Sequence, residues 1–300
     1  MGSVHAASAL AAGGGRVILA GVATEGELWT REQLQRLRAA RFRPVAFARF
    51  LLASQRRAAA VRRARPDVAR RELRWALIGA GGWLAAAALD VPPFRRRLRA
   101  GLGGWTVTIA MLDWHLGMLE TPAGEPRNLE AADAATLLRA WLVPAVADRP
   151  APWLCAAGFA TDALDGPLAR SSAPTRLGRD LEGLVDLAFT SAVLRGMRRT
   201  GSLGRVAAGC EAMRLGVGLG YAVGVYFGRA RPPGPRLLRA GRLLAPVRAA
   251  GLVLAGSGRR PLGGLLVIGG AIASVLAVLL AASERSDGGP AQGRRATTIP

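Results

Sequence analysis

The chain has 300 residues, 51% of them hydrophobic, a mean hydropathy of +0.23 and a net charge of +21. So apolar a chain with so many charges is not an ordinary soluble domain, and its charges must be segregated from its apolar stretches. No lysine occurs, and with aromatics at only 5% there is no basic face interleaved with stacking residues, which excludes a nucleic-acid partner.

Residues 1–74 read as an N-terminal extension, cytoplasmic or lying on the membrane surface. Its opening, MGSVHAASALAAGGGRVILAGVA, has no basic n-region and Arg16 interrupts the apolar run, so a cleaved signal peptide is not expected. Ala6 stands where a myristoylation signal needs Ser or Thr. From Thr30 the residues are helix-forming, with Thr30 as N-cap and Glu32 and Gln33 in the first turn. Arginines punctuate the apolar positions throughout, which suits either an inner-leaflet helix or a small soluble helical unit.

Residues 75–120 predict one or two additional hydrophobic helices, over the apolar stretches 75–90 and 102–119. Between them lies FRRRLR at 94–99, which would face outward if both stretches crossed a membrane, against the positive-inside rule. Asp113 and His115, beside Trp114, read as interfacial residues.

From 121 to 285 apolar stretches recur at 134–149, 151–165, 183–197, 204–227, 243–257 and 262–282. Only the last has the unbroken length of about 20 residues that a lone spanning helix needs. The others are shorter or carry a charge, as in helices that shelter polar groups from lipid. Cys155 and Cys210 read as small core residues. Arg214 reads as an ion-pair partner of Glu211 three residues earlier, with an acceptor phosphate as its other reading. Residues 286–300 read as a disordered tail.

The densest chemistry is DALDGPLARSSAPTRLGRDLEGLVD, residues 162–186. Asp162 and Asp165 are three apart and Glu182 and Asp186 four apart, so on helices each pair shares a face. Four carboxylates at a membrane edge repel one another unless cations neutralise them, and an all-oxygen set suits hard ions such as Mg²⁺ or Mn²⁺. Asp180 would point roughly 160° from Glu182 on one helix, so Glu182 is the expected ligand. Gly166 and Gly178 would let backbone or ligand come close.

This frame resembles the signature of the CDP-alcohol phosphotransferases (CDP-alcohol phosphatidyltransferases), D-x-x-D-G-x-x-A-R followed by G-x-x-x-D-x-x-x-D. Asp162, Asp165, Gly166, Ala169, Arg170, Gly178 and Asp186 match it. Glu182 stands where the family has Asp; it keeps the charge and reaches one methylene further. The segment DAATLLRAWLVPAVA resembles the family's first helix, N-x-x-T-x-x-R, with Asp133 in place of Asn and with Thr136 and Arg139 present.

The resemblance implies an all-α, polytopic integral membrane bundle with a six-span core over 121–285. The implied metal ligands are Asp162, Asp165, Glu182 and Asp186, holding two Mg²⁺ or Mn²⁺ ions. Gly166, Ala169, Arg170 and Gly178 would hold the CDP moiety, and Asp186 would accept the proton of the attacking hydroxyl. The implied reaction moves a phosphoalcohol group from CDP-diacylglycerol or another CDP-alcohol to an alcohol acceptor with release of CMP, in phospholipid synthesis. Donor and acceptor stay open, as does a homodimeric assembly. The acidic frame would face the cytoplasm at the plasma membrane, and the basic connector 228–242 would lie on the same side, in accord with the positive-inside rule. A non-catalytic scaffold that keeps the fold and binds nucleotide or lipid is the alternative, supported by Glu182 and Asp133.

Overall fold

The computed structural model describes residues 24–121, 123–171, 175–227 and 234–283. The expectations about the first 23 residues, the 228–233 part of the basic connector and the tail lie outside them. Among the described residues the chain is all-helical, with eleven α-helices, one short 3-10 turn and no strand.

The first helix, α1 (Glu25–Ala39), begins at a Thr-Glu-Gly-Glu sequence. The Thr24 hydroxyl accepts from the Glu27 amide at 3.2 Å, and Glu25 and Glu27 sit against the positive end of the helix. Thr30 is therefore not the N-cap expected from sequence. It lies one turn inside, its hydroxyl donating to the Gly26 carbonyl at 2.7 Å. Two prolines set the next starts: α2 (Pro44–Ala64) and α3 (Pro66–Ala88) both open on proline, whose missing N–H costs nothing at a first helical turn. The third helix thus begins before the apolar stretch expected from residue 75.

After the short α4 (Pro92–Arg96), helix α5 (Leu98–His115) runs back along α3. Two tryptophans lock the crossing reciprocally. Trp83 lies on Gly101 and Trp105 on Gly79, so close that a Cβ at either glycine would clash with the ring. The indole N–H of Trp105 donates to the Ala76 carbonyl and that of Trp141 to the Gly79 carbonyl, each at 2.8 Å. Both expected hydrophobic stretches are thus helices of one hairpin. FRRRLR lies at its turn, where Arg96 and Arg97 reach Asp148 at 2.8 and 2.9 Å.

Asp113 has its partners within the protein. It is buried and accepts from Arg62 and, at 2.9 Å, from Gln55, whose amide oxygen accepts from Trp114 at 2.8 Å. The His115 ring nitrogen Nδ1 lies 2.7 Å from the Met111 carbonyl. These contacts tie α2 to α5, so the extension is packed against the hydrophobic hairpin.

Six helices follow: α6 (Ala131–Asp148), α7 (Pro152–Ser171), α8 (Arg176–Thr200), α9 (Arg205–Phe227), α10 (Pro235–Gly256) and α11 (Arg260–Ser283). Their apolar core includes Leu142, Val146, Leu154, Phe189, Val193 and Met197. Small residues allow close approach: Gly158 faces the Phe189 ring, and Gly263 lies against Gly251 and Ala255. Within α11, the segment Arg260–Leu280 has a mean hydropathy of 2.4 and is long and apolar enough to cross a membrane, as the sequence led us to expect of this stretch alone.

Candidate functional site

The acidic frame falls on two consecutive helices. The second apolar stretch does not end at Asp165: α7 runs on to Ser171, carrying Asp162, Asp165, Gly166, Ala169 and Arg170 on its last turns. Likewise α8 opens at Arg176, well before Glu182, so Gly178 and Asp180 are helical. The side chains of 162–171, 176, 179 and 180 lie outside the described residues, and with them the expected roles of Asp162, Asp165, Ala169 and Arg170 and the expected direction of Asp180.

Thr175 starts α8 as N-cap, its hydroxyl accepting from the Gly178 amide at 3.0 Å. A Cβ on Gly178 would lie 3.2 Å from the Thr175 hydroxyl and 3.3 Å from Asp133 Oδ1. What comes close at this glycine is therefore the first turn of α6. Asp133 is buried there, and its Oδ2 accepts from the Glu130 amide at 2.8 Å, closing the start of α6. The sequence showed Asp133 only as a departure from Asn; in the fold it packs the N-terminus of α6 against that of α8.

Two turns deeper, Arg139 is 1% exposed. Its Nη1 donates to Asp186 Oδ1, and its Nε donates to the Thr161 hydroxyl at 3.2 Å. Thr161 in turn donates to the Gly158 carbonyl at 2.7 Å. One guanidinium thus joins α6, α7 and α8 at the level of the acidic frame. Asp186 is only partly covered, at 41% side-chain exposure. Glu182, one turn earlier on α8, is half-buried.

The sequence placed Arg139 in a helix pattern without a role in the site, and missed Thr161. A signal existed: a lone arginine inside TLLRAWLVPAV has no solvent to reach from a buried helix and needs a carboxylate. No trio of His, Cys, Asp or Glu converges among the described side chains, which do not include those of Asp162 and Asp165.

A second charged cluster joins α9, α10 and α11. Buried Glu211 accepts from Arg214 at 2.9 Å, as expected from their spacing, and lies 3.7 Å from Arg248. Arg248 donates to the Ser274 hydroxyl at 2.7 Å. Cys155 is a buried free thiol in α7, and Cys210 is free and half-buried in α9.

Comparison with protein-family profiles, with curated proteins and with solved structures finds no match.

Proposed function

We propose that the chain is a polytopic membrane enzyme of the CDP-alcohol phosphotransferase type, using α6 to α11 as a six-span core with the acidic frame toward the cytoplasm. In this reading it transfers a phosphoalcohol group from CDP-diacylglycerol or another CDP-alcohol to an alcohol acceptor and releases CMP. The observation that carries it is the Asp162 to Asp186 frame, split over two consecutive helices and joined through Arg139.

The residues fit divalent ions. Glu182 and Asp186 stand one turn apart on α8, which brings their carboxylates to one face, and every donor in the frame is an oxygen. Mg²⁺ or Mn²⁺ held by Asp162, Asp165, Glu182 and Asp186 would supply charge stabilisation for the donor's diphosphate and for departing CMP.

Asp186 takes the acceptor's hydroxyl proton as the new O–P bond forms and the bond to CMP breaks. Arg139 fixes its rotamer through Oδ1 and leaves Oδ2 for that proton. Gly166, Ala169, Arg170 and Gly178 border the CDP moiety, with the Arg170 fork suited to a phosphate. The same ion pair also favours a second reading, a non-catalytic scaffold, because a carboxylate tied to a buried arginine has a structural role without chemistry. Incubating the purified full chain with CDP-diacylglycerol or other CDP-alcohols, an acceptor panel and Mn²⁺ separates the two: an enzyme releases CMP in proportion to acceptor consumed, and a scaffold releases none with any pair.

A further inference from the structure

The end of the bundle away from the acidic frame carries a cationic cleft of its own. It is an open groove between α8 and α9 beside the turn at 201–204, with a volume of about 570 Å³. Arg195, Arg198 and Arg205 line it together with Leu194, Ala208 and Leu215. Asp186 precedes Arg195 and Arg198 by nine and twelve residues on one helix, so the cleft lies about 14 to 18 Å along α8 from the proposed base.

Its charge is one-sided. Between Asp186 and Glu211 the sequence holds Arg195, Arg198, Arg199 and Arg205 and no acid. Glu211 itself is buried and committed to Arg214 and Arg248. Arg198 donates to the Leu203 carbonyl at 3.1 Å, and no carboxylate pairs with Arg195, Arg198 or Arg205 among the described residues. Three guanidiniums lining one groove without a counter-charge favour an anion.

The shape selects the kind of anion. Arg198 and Arg205 are within a turn of their helix ends, at one end of the groove, while the apolar lining runs along α9 to Leu215. Ten residues of helix from Arg205 to Leu215 make about 15 Å. A free phosphate would occupy only that end and leave the apolar lining facing water. An amphiphile covers both.

We infer that this cleft binds an anionic glycerophospholipid of the bilayer, its phosphodiester on Arg195, Arg198 and Arg205 and an acyl chain along Leu194, Ala208 and Leu215. This rests on the membrane reading above, and assigns a lipid site separate from the acidic frame.

The test uses the full chain in neutral detergent with added phosphatidylglycerol or phosphatidylcholine, and native mass spectrometry to count retained lipid. The wild-type chain should retain phosphatidylglycerol at least about tenfold more strongly than phosphatidylcholine. The combined Arg195→Gln, Arg198→Gln, Arg205→Gln variant should lose that preference. Ala212→Trp, which fills the cleft from an exposed position and keeps every arginine, should lose it too and serves if the arginine variant does not fold. Arg259→Gln with Arg260→Gln, exposed cations at the same end of the bundle, should keep it.

Equal retention of both lipids, a preference that survives both cleft variants, or its loss in the Arg259 and Arg260 control would overturn the site. So would displacement of the lipid by millimolar glycerol phosphate, which would mean that the headgroup alone is held. CMP release followed on the same samples keeps the two proposals apart: loss of lipid preference leaves the reaction standing, and absence of CMP release leaves the lipid site standing.

Discussion

Arg139 on α6 and Asp186 on α8 form an ion pair that is buried at one end and open at the other: Arg139 is 1% exposed and Asp186 41%. The arginine is fixed by its surroundings, including the Thr161 hydroxyl, while the carboxylate it holds stays partly exposed. A reacting group needs that combination of a held geometry and an open side.

Arg139→Met should therefore lower CMP release by about tenfold or more, because the carboxylate loses the group that orients it. Arg139→Lys keeps the charge but not the fork that reaches Thr161 and Asp186 together, and should fall between. Steady-state CMP release, read beside thermal unfolding, checks this. Equal activity in all three chains would remove Arg139 from the site.

The proposed role of Asp186 as proton acceptor is tested by Asp186→Asn. Turnover should fall about 10²- to 10⁴-fold, the usual cost of losing a general base, while donor binding is largely kept. Isothermal titration of the CDP donor alongside single-turnover chemistry separates the two quantities. A variant with near wild-type rate contradicts the role.

Glu182 is the position where the frame departs from the phosphotransferase signature it resembles. Glu182→Gln removes charge at nearly constant size and should lose activity; Glu182→Asp keeps charge with a shorter reach and should retain part of it, with a changed Mg²⁺ or Mn²⁺ optimum. Asp180→Asn should matter little. CMP release across a series of metal concentrations reads all three, and an inactive Asp180→Asn beside an active Glu182→Gln would make Asp180 the third ligand instead.

The cluster on α9 to α11 predicts a stability effect. Glu211→Ala removes the carboxylate that Arg214 and Arg248 share in a buried setting, and should destabilise the bundle by about 3 to 5 kcal/mol. Glu211→Gln, which still accepts a hydrogen bond, should cost less. Thermal unfolding in detergent checks the order of the two.

Much of this architecture was legible because it rests on local rules. Apolar stretches split by arginines gave the helices, the i,i+3 spacing gave the Glu211 and Arg214 pair, and the unbroken run before Ala282 gave the most apolar helix. The errors came where a local signal was passed over or a distant partner decided. The first helix starts at Thr24 although Thr-Glu-Gly-Glu and Thr-Arg-Glu-Gln both carry the capping-box pattern, so the earlier of two equivalent local signals was passed over. Asp113 beside Trp114 gives no local sign of its partner, which is Arg62, 51 residues away. The role of Arg139 depends on Asp186, 47 residues later, and no spacing rule within one helix reaches that far.

The most direct test of the central claim is divalent-metal dependence of CMP release by the purified full chain with its best donor and acceptor pair. The account predicts turnover with Mg²⁺ or Mn²⁺, none in excess EDTA, and recovery when the metal is restored, because four carboxylates in one frame need cations to sit together. Full turnover in excess EDTA, or no CMP release with any donor in the presence of metal, would contradict it.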